Sequence, residues 1–423
     1  MLHFFYSLFF RIALPFVLLR LWWIGRSNPE AFVRWQERLG YVEASDEPVI
    51  WVHAVSVGET IAAAPLVKAL MRRNPDIPVL MTAMTPTGSA RAKALFGDRV
   101  RYAFSPYDTP GAVRRFVDRV RPRALVIMET EIWPNMIALS KQRHVPIFLI
   151  NARLSARSAR GYERVASLVR PLLQSISWIA AQAEEDAGRF LRIGATPESV
   201  SVTGSIKFDV EISEEIRSAS LKLRQQLGTE RPVWIAASTH EGEDRQILEA
   251  HQQVMAQYPD ALLMIVPRHP ERFDDVADLA GSMGLALLRR SGTGDALVGG
   301  VEQCQIYLGD TMGELLMLYG ACDIAFVGGS LIERGGHNPL EPAAWGMPVL
   351  SGPNIFNFET IYSRLDAGKG LYITPCSDAL AQCVMHLIAD RAAAETAGRN
   401  ALAVVEANRG ALEKVVDGIV ERV

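Results

Sequence analysis

Short runs of apolar residues alternate with stretches of helical periodicity along most of the chain, from residue 48 onward. In the first half the apolar runs are PVIWVHAVS, IPVLMTAMT, ALVIMET, VPIFLI, SWIAAQ and SVSVTG. In the second half they are RPVWIAAS, ALLMIVP, QIYLG, DIAFVGG and PVLSG. Continuous apolar strands that alternate with helices are typical of parallel sheets covered on both faces. The pattern therefore predicts an α/β fold with two Rossmann-like halves.

The two halves are separated by a polar stretch, residues 207–229, which we predict to be a linker. The first domain is predicted at 27–206 and the second at 230–389. The C-terminal helices, predicted at 390–423, are expected to pack back across the domains. The length of 423 residues agrees with two domains, because a single hydrophobic core rarely serves more than about 250–300 residues.

Residues 1–26 depart from this pattern because they are apolar almost throughout. The segment is close to the roughly 20 residues that span a bilayer, and Trp22 and Trp23 are typical of the membrane interface. No Lys or Arg precedes the apolar run and no small-residue cleavage site follows it, which disfavours a cleaved signal peptide. We predict a single membrane anchor at 1–26.

Two alternatives to a spanning anchor stay open: a buried helix, and a helix that lies on the membrane. Arg11 and Arg20 are about half a turn out of phase, so they do not share the polar face expected of a surface helix. The basic residues Arg26, Arg34 and Arg38 follow the segment, which predicts that the body of the protein is cytoplasmic.

The composition is that of an ordinary globular protein, with 49% hydrophobic and 22% charged residues. The formal net charge of −3 disfavours a nucleic-acid-binding protein, which is usually strongly basic. The four cysteines form no Cys-x-x-Cys pair, so neither a zinc site nor a disulfide framework is indicated.

The segment 324–358 combines a buried strand, a glycine loop and a helix start. The apolar run Ile324–Val327 predicts the strand. Gly328, Gly329 and Ser330 then begin a loop whose backbone N–H groups are available to an anion, which predicts a phosphate loop. The alternative is an ordinary glycine-rich turn of an α/β sheet.

The helix after this loop is predicted to start at Asn338. Asn338 is a suitable N-cap, Pro339 suits the first helical position, and Glu341 stands where a capping box places its acid. A carboxylate repels phosphate, so Glu341 is expected to accept hydrogen bonds from ribose hydroxyls instead.

Polar side chains follow several first-half strands at the edge where open α/β sheets bind ligands. Glu59 is predicted at a helix N-terminus, where it stays ionised and can act as a general base; the alternative is a capping role alone. Glu129 and Glu131 are two residues apart, so we expect one to face the cleft and the other to bond to the backbone. Lys207 lies in the predicted linker, where its ammonium could contact a bound anion; the alternative is an ordinary surface lysine.

In the second half, Arg268 directly follows the strand ALLMIVP and offers a planar guanidinium that pairs with phosphate or carboxylate oxygens. His240, His269 and His337 share no metal-ligand spacing, so no metal site is predicted. The segment GDTMGELLMLY is predicted to start a helix at Thr311.

These stretches together resemble one enzyme family over nearly the whole chain. The motifs that carry the resemblance are HAVSVGET, MTPTGS, METEIWPN, NARLSARS, TGSIKFD, STHEGE, PRHPERF, GDTMGEL and GGSLIERGGHNPLEP. They occur in the order found in the 3-deoxy-D-manno-octulosonic acid (Kdo) transferases of lipopolysaccharide assembly.

The resemblance implies a GT-B glycosyltransferase with two Rossmann-like domains facing a cleft, held at the cytoplasmic face of the inner membrane. It implies inverting transfer of Kdo from CMP-Kdo to the lipid A precursor lipid IVA, with no cofactor and no metal. Glu59 would be the general base, and Glu129 and Lys207 would assist the transition state. The residues implied to hold CMP are Pro267, Arg268, Met312, Gly313, Glu314, Asn338, Pro339, Leu340 and Glu341.

Two other functions are weighed against this one. A sugar-nucleotide epimerase would share the fold and phosphate site but would need no membrane anchor. A membrane-tethered binding protein would keep the fold without turnover, but Glu59 and Arg268 are both present. A dehydrogenase is disfavoured because no G-x-G-x-x-G follows the first strand.

Overall fold

The structure is a computed structural model that describes residues 2–26, 32–293 and 303–423. It divides into two compact units, one formed by Met1–Asp209 with Arg409–Val423 and the other by Val210–Asn408. Residue 27, where the first domain was predicted to begin, lies outside the described residues.

The first unit is built on a parallel sheet of seven strands. These are β1 (Val49–His53), β2 (Val79–Ala83), β3 (Arg101–Phe104), β4 (Pro122–Met128), β5 (Ile147–Ala152), β6 (Trp178–Ala181) and β7 (Val200–Val202). Their order in the sheet is β3-β2-β1-β4-β5-β6-β7. Alternate side chains of β1 enter the cores on opposite faces, Ile50 and Val52 on one and Trp51 on the other.

Helix α1 (Leu2–Gly25) precedes the first strand, and the other helices connect the strands and lie on both faces of the sheet. These are α2 (Val57–Arg73), α3 (Pro86–Phe96), α4 (Pro110–Val120), α5 (Pro134–Gln142), α6 (Ala156–Arg164), α7 (Ala166–Leu173) and α8 (Glu184–Ile193). Short 3₁₀ turns lie at Trp35–Leu39, Gly97–Arg99, Pro197–Ser199 and Ile206–Phe208.

The second unit contains its own parallel seven-stranded sheet. Its strands are β8 (Val233–Thr239), β9 (Leu262–Pro267), β10 (Leu287–Arg289), β11 (Ile306–Leu308), β12 (Ile324–Val327), β13 (Val349–Ser351) and β14 (Leu371–Ile373), in the order β10-β11-β9-β8-β12-β13-β14. Its helices are α9 (Glu214–Leu227), α10 (Asp244–Gln257), α11 (Phe273–Ser282), α12 (Arg290–Thr293), α13 (Leu315–Tyr319), α14 (Leu340–Ala344), α15 (Glu359–Ala367), α16 (Ser377–Ala389) and α17 (Arg391–Ala407), with a 3₁₀ turn at Pro270–Arg272.

The predicted linker 207–229 is largely helical. Ser213 caps α9, which fills most of the stretch, and Leu223 and Leu227 are buried in a core of the second unit. The division between the units falls at Asp209, so α9 is part of the second unit and the connection is shorter than predicted. Polar composition alone misled the prediction, because α9 buries only a narrow apolar stripe.

The predicted C-terminal segment 390–423 is shared between the units. Helix α17 belongs to the second unit, whereas α18 (Ala411–Val420) belongs to the first. Asp209 receives α18: its Oδ1 accepts from the Gly410 N–H at 2.7 Å and its Oδ2 from the Leu412 N–H at 2.8 Å. Val415 and Ile419 then complete a core of the first unit.

Among the described residues, α1 is the one helix long and apolar enough to cross a membrane, judged by length and composition. Arg38, counted among the basic residues after the segment, is 3% exposed and lies 4.2 Å from the ring centre of Phe104. It is therefore part of the unit's interior and does not face a membrane surface.

Candidate active site

Glu59 lies in the first turn of α2, directly after β1. Ser56 Oγ accepts from the Glu59 N–H at 3.2 Å and donates to Glu59 Oε1 at 2.8 Å. The other carboxylate oxygen, Oε2, accepts from the Val55 N–H at 2.9 Å. This reciprocal capping arrangement fixes the half-buried Glu59 side chain at the carboxyl edge of the sheet.

The electrostatic surroundings of Glu59 make it a stronger proton acceptor than an exposed glutamate. Burial raises the pKa of Glu59, its two hydrogen bonds lower it, and the charges of Glu131 and Glu129 raise it further, with a net upward shift. From the helix N-terminus alone, the sequence predicts only that the Glu59 carboxylate is ionised. The structure adds burial, which raises its pKa. A raised pKa brings the group nearer to neutral pH, where general bases are most effective.

Glu129 and Lys207 form an ion pair at the same edge of the sheet. Lys207 Nζ lies 3.0 Å from Glu129 Oε1, and the two side chains are 29% and 33% exposed. Glu129 follows β4 directly and has φ of 55°, a left-handed conformation that is uncommon for a residue with a Cβ. Such conformations cluster at functional sites.

Asn151 holds the turn that carries Lys207. Its Oδ1 accepts from the Ile206 N–H at 3.3 Å and from Ser205 Oγ at 3.2 Å, and Ser205 Oγ accepts from the Lys207 N–H at 3.4 Å. Asn151 is itself fully buried at the end of β5 and also has a left-handed backbone, with φ of 55°. The position of Lys207 thus depends on a residue more than fifty positions earlier in the chain.

Among the described residues, the carboxylate of Glu131 accepts a hydrogen bond from the indole of Trp133 and not from the backbone. Trp133 Nε1 donates to Glu131 Oε2 at 2.7 Å. Burial raises the pKa of Glu131, the bond from Trp133 lowers it, and Glu129 raises it. The expectation that one of the two glutamates bonds to backbone is therefore wrong for the described contacts, because Glu129 pairs with Lys207 and Glu131 with Trp133.

In the second unit, Arg268 follows β9 and its N–H donates to Thr239 O at 2.9 Å, which ties the ends of β9 and β8 together. Burial raises the pKa of Glu341 to about 7, although the charge of Arg268 and a hydrogen bond with Asn338 both lower it. Arg268 and Glu341 are therefore electrostatic neighbours, as a site that holds both the anionic and the hydroxyl parts of a nucleotide would require.

Three histidines lie together beside Arg268. His240 Nε2 is 2.8 Å from His337 Nε2 with the two rings stacked, and the ring centre of His269 lies 5.3 Å from that of His240. Burial, together with nearby cationic groups that include Arg268, lowers the pKa of His240 to about 4 and of His337 to about 3. Within the described ranges no group of three His, Cys, Asp or Glu side chains is arranged to hold a metal ion.

The glycine loop after β12 is already bonded to a carboxylate of the protein. Glu243 Oε1 accepts from the Gly329 N–H at 2.5 Å and from the His240 N–H at 2.8 Å, and the Gly328 N–H donates to Ala237 O. A Cβ at position 328 would lie 2.8 Å from Glu243 Oε1, so only glycine permits this approach. Ser330 is fully buried, and its Oγ donates to Val327 O.

The predicted phosphate loop therefore differs from the expectation in one respect. The N–H groups of Gly328 and Gly329 are engaged within the protein in this structure, so a phosphate would reach the Gly329 N–H only if Glu243 released it. The sequence pattern could not indicate this, because Glu243 is 86 residues away in the chain.

The remaining residues that were predicted to hold CMP lie on two short turns of the second unit. In the Met312–Glu314 turn, Glu314 Oε1 pairs with Arg290 Nη2 at 2.9 Å, a bond that holds the pKa of Glu314 below its usual value. Met312 is 54% exposed and Gly313 has φ of +89°. Helix α13 begins at Leu315, so the prediction of a helix start at Thr311 is wrong.

Asn338 lies at the start of α14, where its Oδ1 accepts from the Leu340 N–H at 3.2 Å. Pro339 precedes the first helical residue, Leu340, so the helix begins one position later than predicted. Pro267 is the last residue of β9, next to Arg268. The second unit thus brings Pro267, Arg268 and Glu341 to the carboxyl ends of its strands.

A family model described as 3-deoxy-D-manno-octulosonic-acid transferase (kdotransferase) matches residues 33–210. A 3-deoxy-D-manno-octulosonic acid transferase of Haemophilus influenzae is 42% identical over 421 residues, which cover 99% of this chain and 98% of that protein. The chain belongs to the Kdo transferases. The resemblance noted in the motifs is thereby confirmed.

A second relative agrees with this assignment. The 3-deoxy-D-manno-octulosonic acid transferase of Bordetella pertussis is 38% identical over 434 residues, covering 98% of each chain. As a Kdo transferase of lipopolysaccharide biosynthesis, the protein is a glycosyltransferase, which confirms the prediction of an enzyme of that class.

The fold of this Kdo transferase is shared with enzymes of other activities. A UDP-GlcNAc 2-epimerase from Neisseria meningitidis, solved with UDP-GlcNAc bound, matches with a TM-score of 0.57 at 15% identity, over 89% of this chain and 100% of that one. At this identity the likeness shows the fold alone, and it agrees with the predicted GT-B architecture of two α/β units. Family membership decides between the transferase and the epimerase alternative.

Sequence reasoning missed two residues that organise the Kdo transferase sites. Neither Asn151 nor Glu243 is among the predicted site residues. Asn151 lies near the end of β5 and Glu243 a few residues after β8, so the signal that the sequence offered was a polar residue near the carboxyl end of a strand.

Proposed function

We propose that this Kdo transferase transfers Kdo from CMP-Kdo to lipid IVA, with inversion at the anomeric carbon and Glu59 as the general base. The acceptor hydroxyl gives its proton to the Glu59 carboxylate while its oxygen forms a bond to the anomeric carbon of Kdo. The bond from that carbon to the phosphate oxygen breaks, and CMP leaves with the electron pair. Atoms and charge balance without a further reactant.

The observation that carries this proposal is the arrangement at the carboxyl edge of the first sheet. Glu59 is fixed by Val55 and Ser56, and its pKa is raised mainly by burial. The Glu129–Lys207 pair lies at the same edge, where the Lys207 ammonium can stabilise negative charge that develops during transfer. A fixed base next to an ion pair is the arrangement that deprotonation of a sugar hydroxyl requires.

The second unit supports binding of the donor nucleotide. Arg268 and the three histidines supply a polar surface with a permanent positive charge, which suits the phosphate of CMP and the carboxylate of Kdo. Pro267, the Met312–Glu314 turn and the Asn338–Glu341 segment complete the proposed CMP site. Glu341 is proposed to accept hydrogen bonds from the ribose hydroxyls.

Attachment to the inner membrane at its cytoplasmic face is part of the same proposal. Helix α1 supplies an exposed apolar surface, and lipid IVA is a membrane lipid that the enzyme must meet at the bilayer.

The experiment is to incubate the full chain with CMP-Kdo and lipid IVA and to measure the mass of the lipid product. The proposal predicts a mass increase by whole Kdo residues and an anomeric configuration, read by NMR, opposite to that in CMP-Kdo. Release of free Kdo with unmodified lipid would contradict the acceptor assignment, and retention of configuration would contradict the mechanism.

A further inference from the structure

The N-terminal end of α1 is fastened to the first unit by polar contacts. Tyr6 OH donates to Asp108 Oδ2 at 2.9 Å, Ser7 Oγ donates to Asn135 Oδ1 at 2.8 Å, and His3 Nε2 lies 3.1 Å from the same Asn135 oxygen. Asp108 and Asn135 are 6% and 2% exposed. The helix therefore contacts the globular unit at the end farthest from its chain connection.

The receiving residues are themselves firmly held. Asp108 Oδ2 accepts from the Asn135 N–H at 3.0 Å, Asp108 Oδ1 accepts from the Met136 N–H at 2.8 Å, and Asn135 Nδ2 donates to Asp108 O at 2.7 Å. Asp108 follows β3 and Asn135 lies in the first turn of α5, after β4. The contact is thus made with a buried, hydrogen-bonded pair at the carboxyl edge of the sheet.

These contacts are incompatible with a helix that crosses the bilayer. Helix α1 has 24 residues and is about 36 Å long at 1.5 Å per residue, which exceeds the hydrocarbon thickness of about 30 Å. A spanning arrangement would put His3 and Tyr6 on the side opposite the globular unit. With the contacts intact, both ends of α1 lie on the same side.

The two sides of α1 have different surroundings. The side towards the unit is partly buried and contains His3, Tyr6, Ser7, Phe10, Leu14 and Leu21. The outer side carries large apolar residues that are 41–71% exposed and recur every three or four positions, which places them in one stripe: Phe5, Leu8, Phe9, Ile12, Phe16, Leu19 and Trp23. We call these seven residues the outer stripe.

Arg11 and Arg20 lie along the two borders of the outer stripe. At about 100° per residue, they fall on opposite sides of its centre line, so each can extend its guanidinium towards lipid headgroups beside the apolar surface. The phase difference between Arg11 and Arg20 counts against a surface helix only if both arginines must lie on the face opposite the lipid. In the structure that face lies towards the first unit and is partly buried, so it does not need to be uniformly polar.

We propose that α1 lies in the plane of the membrane, with the outer stripe in the lipid and its N-terminal end locked against the first unit. The partner is a bilayer surface with anionic headgroups, which complement Arg11, Arg20 and Arg26 and the absence of acidic residues from α1. Trp22 and Trp23 suit the interfacial depth of such a helix.

This arrangement brings the lipid surface to the acceptor edge. Asn135, which receives α1, is two residues after Trp133, the hydrogen-bond donor to Glu131. A lipid acceptor could keep its acyl chains in the bilayer while its sugar headgroup reaches the edge that carries Glu59. This last step rests on the proposed function, whereas the in-plane helix does not.

The test is the side of the membrane on which residue 2 lies. A Leu2→Cys variant of the full chain is produced in cells, membrane vesicles are prepared, and intact vesicles are treated with a membrane-impermeant maleimide. Native Cys376, which is exposed, reports the side of the globular body in the same vesicles. Peptide mass spectrometry then gives the labelling of both cysteines.

The in-plane helix predicts that Cys at position 2 and Cys376 are labelled together, whatever the orientation of the vesicles. Labelling of one in intact vesicles and of the other only after detergent would overturn the proposal in favour of a spanning helix. Recovery of the protein outside the membrane fraction, as a dimer or with another protein over the outer stripe, would also overturn it.

Depth measurements provide a second test. The variants Phe5→Cys, Ile12→Cys and Leu19→Cys are labelled with a fluorophore and bound to vesicles of phosphatidylethanolamine and phosphatidylglycerol. Nitroxide lipids in these vesicles quench the fluorophore, and the quenching gives its depth in the bilayer. An in-plane helix predicts similar, shallow depths for all three, whereas depth greatest at position 12 would contradict it. Because neither test involves CMP-Kdo or transfer, failure here leaves the proposed function standing, and the reverse also holds.

Discussion

Both sheets are parallel and have seven strands, but their carboxyl edges differ in chemistry. The edge of the first sheet gathers carboxylates, Glu59, Glu129 and Glu131, with Lys207 paired to one of them. The edge of the second gathers Arg268 and three histidines, with the half-buried Glu341 and the buried Glu243 near them. One edge suits the acceptance of a proton and the other suits the binding of an anion. Under the proposed function, the first unit is the acceptor half and the second unit is the donor half of the transfer reaction.

The largest effect is expected from removing the base of the acceptor half. Glu59→Gln keeps the size of the side chain but cannot accept the proton, so the rate of Kdo transfer should fall by about 10³-fold, within the 10²–10⁴ typical of general acid–base catalysis. The matched control is Glu184→Gln, an exposed acid in the first turn of another helix of the same unit. A Glu59→Gln enzyme within about tenfold of the parent would remove Glu59 as the base.

The next effect concerns Lys207 and the residue that positions it. Lys207→Ala should lower kcat by about 10²-fold through loss of a charge that stabilises the transition state. Asn151→Ala should lower it less, because the turn is loosened while the ammonium remains.

The double variant separates positioning from an independent role. If Asn151 acts through Lys207, then Lys207→Ala with Asn151→Ala should be no slower than Lys207→Ala alone. Multiplicative losses in kcat would show that Asn151 contributes separately. Thermal unfolding of each variant controls for loss of the fold.

A smaller effect is expected in the donor half. Arg268→Lys keeps the charge but loses the planar fork, so CMP binding should weaken by about 1–3 kcal/mol, or about 5- to 150-fold in Kd. Arg245→Lys, an exposed arginine of α10 in the same unit, is the control. Calorimetric titration with CMP measures both, and unchanged affinity in Arg268→Lys would exclude Arg268 from the nucleotide site.

The smallest effect is a shift in pH dependence. If Glu59 is the base, transfer requires its ionised form, so activity should be lost as pH falls through its pKa, which burial raises above the usual 4.5. The charge of Glu131 adds to this raised value, so Glu131→Gln should move the acid limb of the pH–rate profile to lower pH with little change in the plateau. If the acid limb of the profile stays at the same pH, or moves to higher pH, then it reports the ionisation of another group.

Local patterns in the sequence predicted most strands of the two sheets but missed three edge strands. Apolar runs identified the central strands, whereas the edge strands β3, β10 and β14 are only three or four residues long and largely partly buried, which weakens their strand pattern. The helix α9 was taken for a linker for a related reason, since its core-facing stripe is narrow.

The candidate site was predictable residue by residue but not in its contacts. Glu59, Lys207 and Arg268 follow from strand ends and from the family resemblance. The bonds that organise them connect distant positions: Glu243 to Gly329 across 86 residues, and Tyr6 to Asp108 across 102. Neither hydrophobic periodicity nor motif spacing records such pairs, because both are properties of short windows.

The division of labour between the two edges is tested most directly by titrating CMP into the Glu59→Gln variant by calorimetry. If the base belongs to the acceptor half and the nucleotide to the donor half, the variant should bind CMP with the parent's affinity although it no longer transfers Kdo. Loss of CMP affinity in parallel with the loss of transfer, in a variant that unfolds at the parent's temperature, would contradict that division.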